Sequence, residues 1–174
     1  MNNHASPDLD IESLLITMQS KLQELIQHQG LINPMLIGIH TGGGWLAKLL
    51  HQRLAITTPL GLLDISFYRD DFTRIGINPE VKPSHIPANI DDQHIILIDD
   101  VLHTGRTIRA AMNELFDYGR PASIHLAVLV DRSGRELPIQ PDVSAIKIEL
   151  QSQQHIKLLG PEPLQLSLSS AATR

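Results

Sequence analysis

Along this 174-residue chain, apolar runs of strand length alternate with helical stretches, a pattern that predicts an α/β domain on a parallel sheet. Met35–His40, His94–Asp99 and Ser123–Val130 are rich in Ile, Leu and Val, as buried strands are. The first two run into short polar or glycine-rich segments and then into a helical period, the order of a strand–helix–strand crossover.

Taken in order, the first element is a helix from Ile11, because Leu14, Leu15, Met18, Leu22, Leu25 and Ile26 recur at helical spacing. Asp8 and Asp10 supply a cap and favourable negative charge at its start, and Gly30 sits where a helix ends. The strand Met35–His40 follows, then a turn at Thr41-Gly42-Gly43-Gly44 and a short helix over Trp45–Arg53. Leu60–Tyr68 reads as a strand. Arg69–Asp92 carries Pro79, Pro83 and Pro87 and no helical period, and a loop of that length is usually functional or disordered. His94–Asp99 is a strand that two carboxylates close. Ile108, Ala111, Met112, Leu115 and Phe116 then give a helical stripe that Gly119 stops. Ser123–Val130, Val143–Leu150 and His155–Leu159 complete the strands, and Ser167–Arg174 is expected to fray. The whole is read as one domain over residues 1–174. Its core spans 31–135, and a small appendage is built from 1–30 and 136–174.

Composition narrows the function. Fourteen Lys and Arg against 19 Asp and Glu give a formal charge of −5, which argues against a general polyanion-binding surface. Cysteine is absent, so disulfides, thiolate metal sites and a cysteine nucleophile are excluded. One Trp, two Tyr and three Phe are too few for an aromatic platform that stacks RNA bases. No apolar run reaches membrane-spanning length, and Met1–Ser6 lacks the charged start of a signal peptide, so a cytoplasmic protein with no membrane partner is expected.

The chemistry concentrates in Asp99-Asp100-Val101-Leu102-His103-Thr104-Gly105-Arg106-Thr107. In open α/β sheets ligands bind beyond the carboxyl ends of strands, which is where these residues fall. Thr104 to Thr107 open a helix whose free N–H groups, hydroxyls and dipole suit a phosphate. The adjacent carboxylates would repel that phosphate, but they suit sugar hydroxyls or a Mg2+ ion. A ligand with a phosphate at one end and a diol nearby is a ribose 5-phosphate. Each half alone is also ordinary loop and cap chemistry; it is their combination between strand and helix that is specific.

This segment resembles the phosphoribosyl pyrophosphate (PRPP) motif of type I phosphoribosyltransferases. Three further stretches narrow the resemblance: Leu63–Phe72 with its Tyr68-Arg69-Asp70-Asp71, Gly119–Ser123, and Asp131–Ile139 with its Arg135-Glu136-Leu137-Pro138-Ile139. Together with Gly38–Gly43 they are similar to the family of pyrimidine operon regulatory proteins with uracil phosphoribosyltransferase activity. The likeness covers roughly residues 30 to 142.

The resemblance implies a twisted, mainly parallel sheet with flanking helices, a mobile flap after Tyr68 and a small hood from the chain ends. It implies that Asp99 and Asp100 hold the ribose hydroxyls, with Asp99 the protein's contribution to a Mg2+ that PRPP mainly binds. Thr104, Gly105, Arg106 and Thr107 would take the 5-phosphate, with Val101, Leu102 and His103 in the same site. Thr41, Gly42 and Gly43 would form the pyrophosphate loop, a turn that in the superfamily often holds a non-proline cis peptide. Asp100 would stabilise the cationic sugar, and Arg69 would neutralise pyrophosphate when the flap closes. The implied substrates are PRPP and uracil and the product UMP. A pyrimidine operon leader mRNA is the implied regulatory partner, and a homo-oligomer, dimer or higher, the implied assembly.

Three positions depart from the family pattern. Gly42 stands where the family commonly has Arg; residues 145–151 do not match its Gly-Lys-Asn-Ile-Pro-Thr-Ser; and His103 replaces a frequent Tyr. Arg106, Arg109, Arg120, Arg132 and Arg135 could form one basic face, though Arg106 is already assigned to phosphate, and Arg120, Arg132 and Arg135 could instead pair with carboxylates such as Asp117 and Glu136. The alternative to an enzyme is a nucleotide-sensing, RNA-binding regulator with weak or no transferase activity. A purine or orotate acceptor keeps the fold and changes the base. A receiver domain fits poorly, because its acidic pair follows the first strand.

Overall fold

The computed structural model describes residues 9–66, 84–87 and 89–170. Helix α1 (Ile11–His28) starts at Asp10, whose carboxylate accepts the Ser13 N–H at 2.9 Å. Leu14, Leu15, Met18 and Leu22 lie on its buried face, and Gly30 at φ +61° takes the left-handed turn just beyond it.

Five parallel strands form the main sheet: β1 (Met35–Ile39), β2 (Gly61–Leu63), β3 (His94–Leu102), β4 (Ser123–Arg132) and β5 (Val143–Ile148). Their order is β2-β1-β3-β4-β5. Side chains alternate between its two faces. Leu36, Ile96, Ile98, Ala127 and Leu129 pack with α1 and α2 (Gly42–Arg53) on one side. Met35, Ile37, Ile95, Leu97, Leu126 and Val128 pack with α3 (Arg106–Tyr118) on the other. Both layers are buried, which explains the near-continuous apolar runs of the strands. No described helix is long and apolar enough to cross a membrane.

The chain runs outward from β1 to β2, then crosses back over β1 to β3 and continues outward the other way to β4 and β5. The winding direction therefore reverses between β1 and β3. Loops leaving the carboxyl ends of those two strands diverge and open a crevice. A hairpin of β6 (Gln154–Leu159) and antiparallel β7 (Gln165–Ser170) stands beside it. Ile156 and Leu158 of that hairpin are buried against the α1–α2 side of the core.

Several elements differ from expectation. Helix α2 begins at Gly42, not Trp45, so the three glycines are its first turn. A Cβ on Gly43 would collide with the Ile98 carbonyl, so only glycine lets this turn press on β3. Strand β3 does not stop at the carboxylates: pairing with β4 continues through Val101↔Val130 and Leu102↔Asp131. Strand β2 is only three residues long, because the chain leaves the ladder at Asp64, whose carboxylate accepts the Ser66 N–H at 2.8 Å. Phe67 and Tyr68 lie outside the described residues. So does the flap segment except for its end, where His85 bridges Leu62 through bonds of 2.7 and 2.8 Å.

Helix α1 and strand β5, grouped with the appendage on sequence, belong to the main layers: α1 packs on β4 and β5, and β5 is the sheet's edge. Strand β5 also ends at Ile148 rather than Leu150. Residues 167–170, expected to fray, are paired in β7. The hood is therefore built from the C-terminal end alone among the described residues.

Candidate active site

The crevice between the β1 and β3 ends is a cleft of about 1210 Å3, walled by the loops after those strands, the end of β4 and strand β6. Thr41, Gly42, Asp99, Asp100, Val101, Leu102, His103, Thr104, Gly105, Arg106 and Thr107 all line it. Gly43 does not; it is buried beneath the turn against β3. Arg69 lies outside the described residues. Twelve of the thirteen expected positions are thus described, and eleven of them share one cavity.

The carboxylates sit differently. Asp99 is 6% exposed, and its Oδ1 accepts the Asp100 N–H at 2.9 Å. Asp100 is half-buried and lies against Gly42: a Cβ there would be 2.5 Å from its Oδ2 and 2.7 Å from its Cγ. The absence of a side chain at position 42 therefore sets where the Asp100 carboxylate can stand. The peptide bond between His40 and Thr41, at the head of this turn, is cis.

The phosphate-sized end is built by the start of α3. Gly105, at φ +94°, is its N-cap and supplies no side-chain cap. The Arg106 N–H donates to Thr104 Oγ1 at 3.2 Å. The Thr104 carbonyl accepts the N–H groups of Glu136 and Leu137 at 3.0 Å each, which ties this loop to the segment after β4. The first residues of α3, at the positive end of its dipole, line the cleft here. Arg106, expected on phosphate, has its Nε on Glu136 at 2.7 Å, in a pair half exposed to solvent.

The basic face expected from five arginines is largely spoken for. Arg135 pairs with Asp131 and also donates to the His103 carbonyl, while Lys147 lies 3.9 Å from Asp131. Arg132 is buried. Arg109 and Arg120 are exposed and have no ion pair among the described residues. The imidazole of His103 is held below its ordinary pKa, first by burial and then by the positive charge of Arg132.

His40, Trp45, Arg132, Glu136 and the strip from His155 to Leu158 also line the cleft and were not expected there. Trp45 marks where the hood touches the core: a Cβ on Gly160 would lie 3.1 and 3.2 Å from its ring. His40 and Trp45 flank the Thr41–Gly43 turn, and Glu136 lies in the Arg-Glu-Leu-Pro-Ile segment, whereas Arg132 and the His155–Leu158 strip reach the cleft only through the placement of β4 and of the hairpin.

The chain matches the phosphoribosyl transferase domain family over residues 9–162. It is 51% identical over 170 residues to the bifunctional protein PyrR of Nitrosococcus oceani, covering 97% of this chain and 96% of that one. It is 53% identical over 162 residues to the bifunctional protein PyrR of Pseudomonas aeruginosa, covering 91% and 95%. Among solved structures, a hypoxanthine-guanine phosphoribosyltransferase of Bacillus anthracis matches with a TM-score of 0.64 at 15% identity, over 83% of this chain and 84% of that one. A hypoxanthine phosphoribosyl transferase of Trypanosoma cruzi matches with a TM-score of 0.62 at 18% identity, over 88% and 84%. At such identity the structures speak for the fold alone, the parallel sheet with flanking helices that the resemblance implied. The chain belongs to the phosphoribosyl transferase family and, within it, to the bifunctional PyrR proteins.

Proposed function

We propose that this chain is a cytoplasmic uracil phosphoribosyltransferase. It transfers the 5-phosphoribosyl group of PRPP to uracil, giving UMP and pyrophosphate, and it also regulates pyrimidine operon expression through the leader mRNA. The observation that carries the catalytic half is the convergence, at the sheet's switch point, of a carboxylate pair, an uncapped helix start and a glycine turn in one cleft. The membership just described supports both halves.

In this reading Thr104 to Thr107 hold the 5-phosphate, with Arg106 leaving Glu136 to reach it. Asp99 and Asp100 take the ribose hydroxyls, and Thr41 to Gly43 face the pyrophosphate. A uracil nitrogen forms its bond to C1 as the bond from C1 to pyrophosphate breaks. The bonding pair leaves with pyrophosphate, and the proton of that nitrogen passes to water. Uracil is a weak nucleophile, so positioning and charge do most of the work. In this reading Asp100 stabilises the cationic sugar, and Arg69 neutralises the pyrophosphate.

Mg2+ fits the site in a limited way. Among the described residues no group of three ligating side chains could cage a metal, yet two hard carboxylates line the cleft. The ion would be held mainly by PRPP, with Asp99 as the protein's ligand, and would neutralise pyrophosphate charge. A dimer or higher homo-oligomer completes the proposal.

The test is UMP formation from PRPP and uracil with Mg2+, beside hypoxanthine, adenine and orotate, with Asp100→Asn as control. Turnover with uracil alone, lost in the variant, supports the enzyme. Saturable UMP binding without turnover on any base would replace it with the nucleotide-sensing regulator.

A further inference from the structure

Arg132, at the end of β4, is the buried cation that the proposed mechanism leaves unused. It is 7% exposed, lines the cleft, and has a buried Nε with no hydrogen-bond partner. Among the described residues no carboxylate pairs with it, because the nearby ones are engaged elsewhere. Glu136 takes Arg106, and Asp131 takes Arg135 and Lys147. Both it and His103 line the same cleft, and its charge helps to lower the His103 pKa. An unpaired buried guanidinium is costly unless something electron-rich meets it. The cleft is where such a group can come from.

The proposed ligand accounts for the other surfaces. Phosphate belongs at the α3 start, hydroxyls at Asp99 and Asp100, and pyrophosphate at the Thr41 turn. The remaining wall, made by Leu102, His103, Arg132 and the Ile156–Leu158 strip of the hood, is left for the base. A pyrimidine with two ring carbonyls offers acceptors, and a guanidinium offers only donors. We propose that Arg132 donates to a ring carbonyl oxygen of the pyrimidine and thereby sets the preference for a dioxo-pyrimidine over bases that present an amino group there. This rests on the assignment of the cleft to PRPP and a nucleobase.

UMP and ribose 5-phosphate share the phosphate and the diol and differ at C1, which carries the base in one and a hydroxyl in the other, so comparing their binding in parent and variant by calorimetry isolates this contact. Arg132→Gln is expected to bind ribose 5-phosphate within about twofold of the parent and UMP about 10- to 100-fold more weakly, with Arg132→Lys in between. Equal losses for both ligands, or none for UMP, would overturn the inference. Should Arg132→Gln fail to fold, Arg132→Lys and the parent's own Arg132 Nε–H resonance decide. UMP must shift that resonance and ribose 5-phosphate must not, and a shift with both or with neither refutes the contact. A parent protein that binds both ligands but makes no UMP would sink the catalytic proposal and leave this comparison valid. A parent that binds neither would overturn both.

Discussion

Two adjacent glycines at the start of α2 should respond in opposite ways to a single added methyl. At position 42 the new Cβ would meet Asp100 Oδ2 at 2.5 Å, Cγ at 2.7 Å and Cβ at 3.0 Å. Oδ2 and Cγ can swing away by rotation of this half-buried side chain, and the contact to the fixed Cβ needs a shift of only a few tenths of an ångström, so the fold escapes at the cost of a strained or shifted rotamer, about 0.5–1.5 kcal/mol. Replacing glycine within a helix returns about 0.5–1 kcal/mol, which offsets most of that. The Asp100 carboxylate, however, is driven from its place, and a misplacement of about 1 Å costs on the order of 100-fold in rate, or about 2.7 kcal/mol. At position 43 the obstacle is backbone: the Ile98 carbonyl and, at 2.9 Å, the Asp99 Cα. Strand β3 cannot rotate away, so Gly43→Ala should lose about 1–3 kcal/mol of stability, a fall of about 3–10 °C in Tm for a chain this size. Thermal melts followed by circular dichroism, run beside UMP formation, separate the two cases. Gly42→Ala is expected to melt within about 3 °C of the parent with kcat/KM down about 100-fold. Full activity in Gly42→Ala, or a melt as low as that of Gly43→Ala, would refute the reasoning.

Other consequences are equally open to measurement. Leu22, fully buried where α1 meets the sheet, should cost about 2–5 kcal/mol when cut to Ala, read by urea unfolding; a loss below about 1 kcal/mol would mean that α1 is not part of the main core. Ser84 Oγ donates to Glu114 at 2.6 Å and accepts the Asp64 N–H at 2.9 Å, so Ser84→Ala should cost about 1–3 kcal/mol and speed hydrogen exchange at the Asp64 amide; unchanged exchange there would count against the link. His103, facing Arg132, Glu136, Arg135 and His155, should titrate by NMR with a midpoint below the ordinary 6.5. Because the unfolded chain binds that proton more readily, its contribution to stability is complete above about pH 6.5 and is lost as pH falls through the folded midpoint. A midpoint at or above 6.5 would contradict the burial and the charge assigned to it.

Where the information is contiguous, reading the chain was enough. Asp99 through Thr107 lie on one strand-to-helix passage, so their chemistry and their position beyond a sheet edge follow from local order alone, and they do share one cleft. The α1 stripe and the alternation of buried strands with helices are legible for the same reason: a period of 3.6 or 2 is a property of neighbours along the chain. The family likeness likewise rests on contiguous segments.

What lies opposite a residue in space is another matter. That Gly42 to Gly44 form a helical turn rather than a loop depends on how closely β3 approaches, which nothing in their own sequence states. Residues 167–170 look like a fraying tail until β6 supplies their hydrogen-bond partners. Arg106 reads as a phosphate ligand, yet Glu136, 30 residues away, claims it here. Arg132 reads as one more surface arginine, yet β4 carries it into the cleft wall with no carboxylate to meet it. Periodicity and motif order determine which elements form and what chemistry they carry. Burial and pairing energies depend on distances across the fold, so only the tertiary structure decides which charges are free to meet a ligand.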